Sequence, residues 1–224
     1  MQGTHKQALK LALGLAGISA LLLGMAILLM GNRNLFLLIN QKFTPALGQA
    51  ARLFSLLGES WAMGFLLILS LWLPLRNFVL IALTWLSGAM HSWLFKLWLC
   101  KGWPRPYQYF SEKGLVLNLA EGVKPHHWNS FPSGHTITAF SLLLILPALF
   151  PRIKPLYLLL AWLLAFGCGI SRIVLVQHWP ADVLGGIVLG CSASLLVYFP
   201  CNKYLQHSGI PEKSLLELLK SAGK

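Results

Sequence analysis

The stretch SRIVLVQHWPAD, Ser171 to Asp182, sets an arginine, a histidine and an aspartate between two apolar runs. Charged side chains near lipid are costly, so the first reading of such residues is functional. Pro180 suits the first turn of a helix, which puts His178 just before that helix and Asp182 inside its first turn. From there Asp182 can accept the Nδ1–H of His178 and leave the Nε2 lone pair facing a substrate, the orienter-and-nucleophile arrangement of covalent catalysis. Arg172 offers a planar fork that matches two phosphate oxygens. Upstream, Pro132-Ser133-Gly134-His135 stands at the entrance of another apolar run. If Pro132 and Ser133 open a helix, its first N–H groups have no intrahelical partner and, with the helix dipole, form an anion site. Ser133 would add a hydroxyl donor, Gly134 would let an oxyanion approach the backbone, and His135 would stand beside it. Lys101 and Arg105, in KGWPRP, bring two more cations. Each cluster alone also reads as a helix cap with an interfacial histidine, an Arg–Asp ion pair, or snorkelling cations. Together they would surround a phosphoryl group, whose transfer depends chiefly on positioning and electrostatics.

The elements that must position these clusters are apolar. The 224-residue chain is 56% hydrophobic and 11% charged, against about 25% charged in soluble domains. A bilayer core of about 30 Å needs roughly 20 apolar residues per helix. Runs at 11–30, 61–75, 78–99, 136–150, 156–176 and 183–199 fit that requirement, the second and fourth being short. The expectation is an all-α, polytopic bundle of six transmembrane helices, with one domain over 1–224. Residues 203–224 read as a cytoplasmic tail that carries a short amphipathic surface helix at 211–220. The first run reads as a retained helix, because its apolar core exceeds the ~7–15 residues of a secretory signal.

Six spans put both termini on one face and the loops 31–60, 100–135 and 172–182 on the other, so all three polar clusters share a face. Lys and Arg divide evenly between the faces. Setting Lys101, Arg105 and Arg172 aside as ligands favours a cytoplasmic N-terminus. The net charge of +12 lies at helix ends with no basic stripe, which suits anionic headgroups rather than nucleic acid. Cys100, Cys168, Cys191 and Cys201 show no CxxC spacing, so neither a disulfide framework nor a zinc site is expected. His126 and His127 lack a third metal ligand, and six acidic residues form no carboxylate cluster for Mg²⁺.

PSGH followed by SR-x5-H-x3-D resembles the type 2 phosphatidic acid phosphatase superfamily, which includes membrane lipid phosphatases, glucose-6-phosphatase and soluble vanadium haloperoxidases. The resemblance covers about residues 30–200. The family's first motif is a Lys, six residues, then Arg-Pro. Here Arg105-Pro106 supplies the Arg-Pro, but Trp98 occupies the lysine position, and the nearest lysines are Lys96 and Lys101. Lys101 is taken, because Lys96 lies deeper in its helix. The resemblance implies a metal-independent and cofactor-free phosphatase of a lipid phosphate or diphosphate. By similarity, His178 attacks phosphorus to form a phosphohistidine and Asp182 orients it. His135 protonates the leaving oxygen and then activates water, while Lys101, Arg105, Ser133, Gly134 and Arg172 bind the phosphoryl oxygens. The implied setting is a bacterial inner membrane with the site on the outer, periplasmic face. Polyprenyl diphosphate, phosphatidylglycerol phosphate, phosphatidate and a lipid A phosphate all fit, and the loop 107–129 is expected to shape the choice. Two alternatives stay open: a phosphotransferase of the same superfamily, and a non-catalytic protein that binds anionic lipid. Oligomeric state is not legible.

Overall fold

The structure, a computed structural model, describes residues 2–205, 214 and 216–218. Its helices are α1 (Gln2–Met30), α2 (Asn32–Gln41), α3 (Pro45–Leu56), α4 (Ser60–Ser70), α5 (Leu75–Leu94), α6 (Pro106–Ser111), α7 (Gly134–Leu149), α8 (Pro155–Val174) and α9 (Pro180–Leu205), with a π-helical turn at Phe95–Leu99. Four segments are long and apolar enough to cross a bilayer: His5–Met30, Leu75–Leu99, Pro155–Val174 and Pro180–Cys201. Each turns large apolar side chains outward, such as Leu28, Trp98, Leu160 and Leu196. A continuous apolar exterior of that kind belongs in lipid. The chain is a multi-pass, helical membrane protein.

The expected second span is redrawn. Alone, α4 has 11 residues, about 16 Å at 1.5 Å per residue, and cannot cross. It follows α3 across a 41° bend at a short break, and the pair together is long and apolar enough for one broken span or a re-entrant loop. Either starts inside what the sequence suggested was a loop, so the described residues hold four or five candidate spans where six were expected. α7, at 16 residues, is also short. It is the central helix, packed against α1, α5, α8 and α9. Nearly every face is therefore covered by protein, with Phe140, Leu143, Leu144 and Ile145 at most 1% exposed.

Two glycines let α9 come close to α7. A Cβ on Gly186 would lie 2.9 Å from the Ser133 carbonyl oxygen, and one on Gly190 would lie 2.6 Å from that of Ile137. Small residues allow this backbone approach between membrane helices. The start of α7 is thereby fixed against the first turns of α9, which carry Asp182. The expected tail 203–224 and its amphipathic stretch lie largely outside the described residues.

Candidate active site

α9 begins with its own cap. Trp179 precedes Pro180, and Asp182 Oδ2 reaches back to accept the Trp179 N–H at 2.8 Å, half of a capping box. The same oxygen accepts Ser130 Oγ at 2.5 Å and stands 3.3 Å from His178 Nδ1. Three contacts thus fix one carboxylate that is 3% exposed. Asn32 Oδ1 accepts the Ala181 N–H, so the first turn of α9 is satisfied within the protein. His178, 2% exposed, turns Nε2 toward Arg105 Nη1 at 3.4 Å. Burial first, then Arg105, Lys96 and Arg172, holds its pKa well below the ordinary histidine value. Its ring is accordingly neutral at pH 7, with a lone pair available.

Arg105 is delivered by a loop that pairs with another loop. Its N–H donates to the His127 carbonyl and the Ser130 N–H donates to the Trp103 carbonyl. The guanidinium donates to the carbonyls of Trp128 and Gln177. Trp179 Nε1 donates to the Pro104 carbonyl, while Phe36 and Tyr109 pack edge-on and Phe110 tilted around its indole. That aromatic cluster ties the Arg105 loop to the His178 turn. Burial draws Arg105 below its ordinary pKa, against the pull of Asp182; a guanidinium remains charged.

At the start of α7, Ser133 is the N-cap, as its sequence position suggests, with Oγ accepting from Thr136 N–H and Oγ1–H. Its own N–H donates to the Asp182 carbonyl at 3.1 Å. The Gly134 and His135 amides are left without an intrahelical partner. A Cβ on Gly134 would lie 3.7 Å from Lys96 Nζ. The structure therefore brings Lys96 to the cluster, within the fields of Arg105, Asp182 and Arg172, while Lys101 stands exposed on the following turn. That placement favours Lys96 over Lys101 as the lysine beside the Gly134 amide. Lys96 lies in a π turn, in which Cys100 N–H bonds to Phe95 O, five residues back, so the helical register is interrupted between Lys96 and Arg105. Trp98, at the expected lysine position, is 70% exposed.

Arg172 donates from Nη1 to Ser55 Oγ, on α3, and its Nε is buried without a partner. Asp182 pairs with His178, not with Arg172, so the interfacial Arg–Asp pair is not what forms. Sequence reasoning missed Glu59. It sits at the α3–α4 bend, where Gly58 packs on the His135 backbone, and its Oε1 lies 3.2 Å from His135 Nε2. Nε2 is buried without a hydrogen-bond partner, so the contact is an ion-pair distance. Beside them a cavity of about 270 Å³ opens, bordered by Glu59, Arg172 and Gln177. Among the described residues no three His, Cys, Asp or Glu side chains converge as metal ligands.

His135 and His178 thus stand at the starts of α7 and α9, with Arg172 and Lys96 close to both and Arg105 beside His178. The PAP2 superfamily profile matches residues 77–203, more than half of the chain and all three motif clusters. The chain belongs to the PAP2 superfamily. Among curated proteins, this PAP2 chain is 39% identical to a lipid A 1-phosphatase of Porphyromonas gingivalis over 71 residues, 32% of this chain and 16% of that protein. It is 36% identical to a lipid A 1-phosphatase of Rhizobium johnstonii over 118 residues, 42% of this chain and 46% of that one. It therefore spans less than half the length of these relatives. Among solved structures, LpxE of Aquifex aeolicus superposes with a TM-score of 0.63 at 27% identity, covering 74% of this chain and 93% of that one. The PAP2-type phosphatidylglycerolphosphate phosphatase of Bacillus subtilis superposes at 0.58 and 23% identity, over 86% and 96% of the two chains. The latter shows a shared fold.

Proposed function

We propose that the protein hydrolyses a lipid phosphate or diphosphate through a phosphohistidine on His178. The observation that carries this is the buried His178, held through Nδ1 by a triply bonded Asp182 while Nε2 faces the cations. A neutral imidazole so oriented is a nucleophile, and the carboxylate stabilises the cation it becomes on attack. Arg105, Arg172, Lys96, the Ser133 hydroxyl and the Gly134 amide would neutralise the equatorial oxygens. His135, across the space, would give a proton to the leaving lipid oxygen and then take one from the water that cleaves the P–N bond. No step needs a metal ion. The lipid A 1-phosphatase relatives support a lipid substrate, and the apolar exterior supports attack at the membrane surface. With the phosphate-binding cations set aside, the remaining Lys and Arg favour a cytoplasmic N-terminus, which supports a site on the periplasmic face of a bacterial inner membrane.

The test is phosphate release by the purified protein from liposomes containing each of the four candidate lipids, in excess EDTA. Release from at least one, inhibited by vanadate as a five-coordinate mimic, is expected. Release from none, or only with added Mg²⁺, overturns the proposal. Product analysis with an acceptor lipid separates hydrolysis from phosphoryl transfer.

A further inference from the structure

Each of the two site histidines stands beside a carboxylate, and the chain has only six acidic residues to supply them. Asp182 Oδ2 is 3.3 Å from His178 Nδ1, and Glu59 Oε1 is 3.2 Å from His135 Nε2. The settings differ. The Asp182 side chain is 4% exposed, whereas that of Glu59 is 43% exposed, at the edge of the cavity beside Arg172.

The Glu59 contact is built by the fold. Glu59 is the N-cap residue of α4, yet its side chain makes no capping hydrogen bond, so local helix chemistry does not account for its placement. The preceding Gly58 does. A Cβ there would lie 2.6 Å from His135 Cβ, 2.8 Å from its Cα and 2.9 Å from Cys168 Sγ. Glycine thus lets the α3–α4 bend close on the start of α7. Cys168 Sγ donates to the His135 carbonyl at 3.8 Å, and Ser55, near the end of α3, accepts from Arg172, so the bend is held from both sides.

The charges around His135 work against a general acid. Arg172 from α8 and Lys96 from the π turn disfavour a proton on its ring, while Glu59 from the bend favours one. Cys168, also on α8, presents a thiol to its backbone. His178, on the α9 side, is within the field of His135 and is itself neutral at pH 7. An imidazole beside two cations gives up its proton readily; a carboxylate at ion-pair distance restores the protonated form that donation requires.

Resting on the proposed phosphatase reading, we infer that Glu59 is a positioning residue for the general acid: its carboxylate pairs with the Nε2–H of the His135 imidazolium, so that the Nδ1 proton is the one given to the leaving oxygen. In the first half-reaction the His178 Nε2 lone pair forms the N–P bond. The P–O bond breaks, its electron pair stays on the lipid oxygen, and that oxygen takes the Nδ1 proton. Neutral His135 keeps its Nε2–H toward Glu59. In the second half-reaction water attacks phosphorus, the P–N pair returns to His178, and the water proton returns to His135 Nδ1.

The first measurement needs no turnover. The full chain in detergent, carrying His178→Ala and isotope-labelled histidine, is titrated by NMR, with the His135 resonance assigned by its loss in His135→Ala. Glu59→Gln keeps the size and removes the charge. It should lower the His135 midpoint by about one pH unit, the low end for a nearby opposite charge, because Glu59 is partly exposed. Glu59→Asp, which keeps the charge on a shorter arm, should lower it less. A midpoint that Glu59→Gln leaves in place overturns the inference.

The second measurement separates positioning from support of the fold. In the His178-containing protein, the high-pH limb of kcat/KM for a lipid phosphate reports the protonated acid. Glu59→Gln should move that limb to lower pH by the same amount, which is about tenfold in rate above it. The burst of p-nitrophenolate from p-nitrophenyl phosphate, whose leaving group needs no proton, should stay within about twofold. Equal losses on both substrates with an unmoved limb make Glu59 a support of the fold and contradict the inference. A shifted NMR midpoint in a protein that releases phosphate from no lipid keeps the pair and sinks the phosphatase reading alone, so the two fail separately.

Discussion

Replacing Asp182 by Asn isolates the carboxylate's charge from its shape. The amide oxygen can still accept the Trp179 N–H and the Ser130 hydroxyl, which Asp182 Oδ2 accepts at 2.8 and 2.5 Å. What disappears is the negative charge 3.3 Å from His178 Nδ1. When His178 becomes an N-phosphorylated cation, a unit charge at that distance contributes about 5 kcal/mol at an effective dielectric of 20. That energy corresponds to roughly 10³–10⁴-fold in rate. Stability should change little, since the hydrogen bonds persist and a buried charge is removed; a loss of about 1 kcal/mol would shift Tm by about 2–4 °C. Asp182→Ala is different, because it leaves the buried Trp179 N–H and Ser130 hydroxyl without that acceptor, at about 1–3 kcal/mol each. Phosphate release at saturating lipid and Tm from tryptophan fluorescence, measured on both variants, check this. If Asp182→Asn keeps more than a tenth of the activity, the carboxylate does not act electrostatically on His178.

The two lysines should separate cleanly: Lys96→Ala is expected to lower kcat about 10²–10³-fold, and Lys101→Ala to stay within about twofold, in the same release assay. For pH, unfolded His178 takes up its proton near 6.5, while burial and its cationic neighbours keep the folded residue neutral well below that. The unfolded state then binds more protons, so stability falls as the pH drops from about 7 toward 5; the Tm loss over that range should be smaller in His178→Gln. Single cysteines placed at Ser111 and Lys154, with the four native cysteines replaced, should be labelled by an impermeant thiol reagent in intact cells at 111 and not at 154.

The apolar spans at 11–30, 78–99, 156–176 and 183–199 were legible because their length and composition alone satisfy the bilayer. The stretch 32–56 was not, since its helices are only partly apolar and depend on distant partners. Asn40 is buried through reciprocal hydrogen bonds with Asn118, and Ser55 through Arg172. In the site, Ser133 and Asp182 follow from local helix-start chemistry, so their placement could be read from spacing. Ser130 reaches Asp182 across 52 positions, and Glu59 meets His135 only because the helix bends at Gly58. Neither contact has a local signal. Lys96 reads as lying deeper in its helix than Lys101, and the contact that brings it beside Gly134 joins residues 38 positions apart and leaves no signal in the spacing.

The central claim is covalent catalysis by His178, and trapping the intermediate tests it most directly. In His135→Ala the acid and base are gone, so the phosphoenzyme formed from a substrate with a good leaving group, p-nitrophenyl phosphate, should accumulate. After a rapid quench with radiolabelled substrate, the account predicts an acid-labile, base-stable label on His178 in that variant and none in His135→Ala/His178→Ala. Label that persists when His178 is absent, or no label in His135→Ala despite continued turnover, would contradict it.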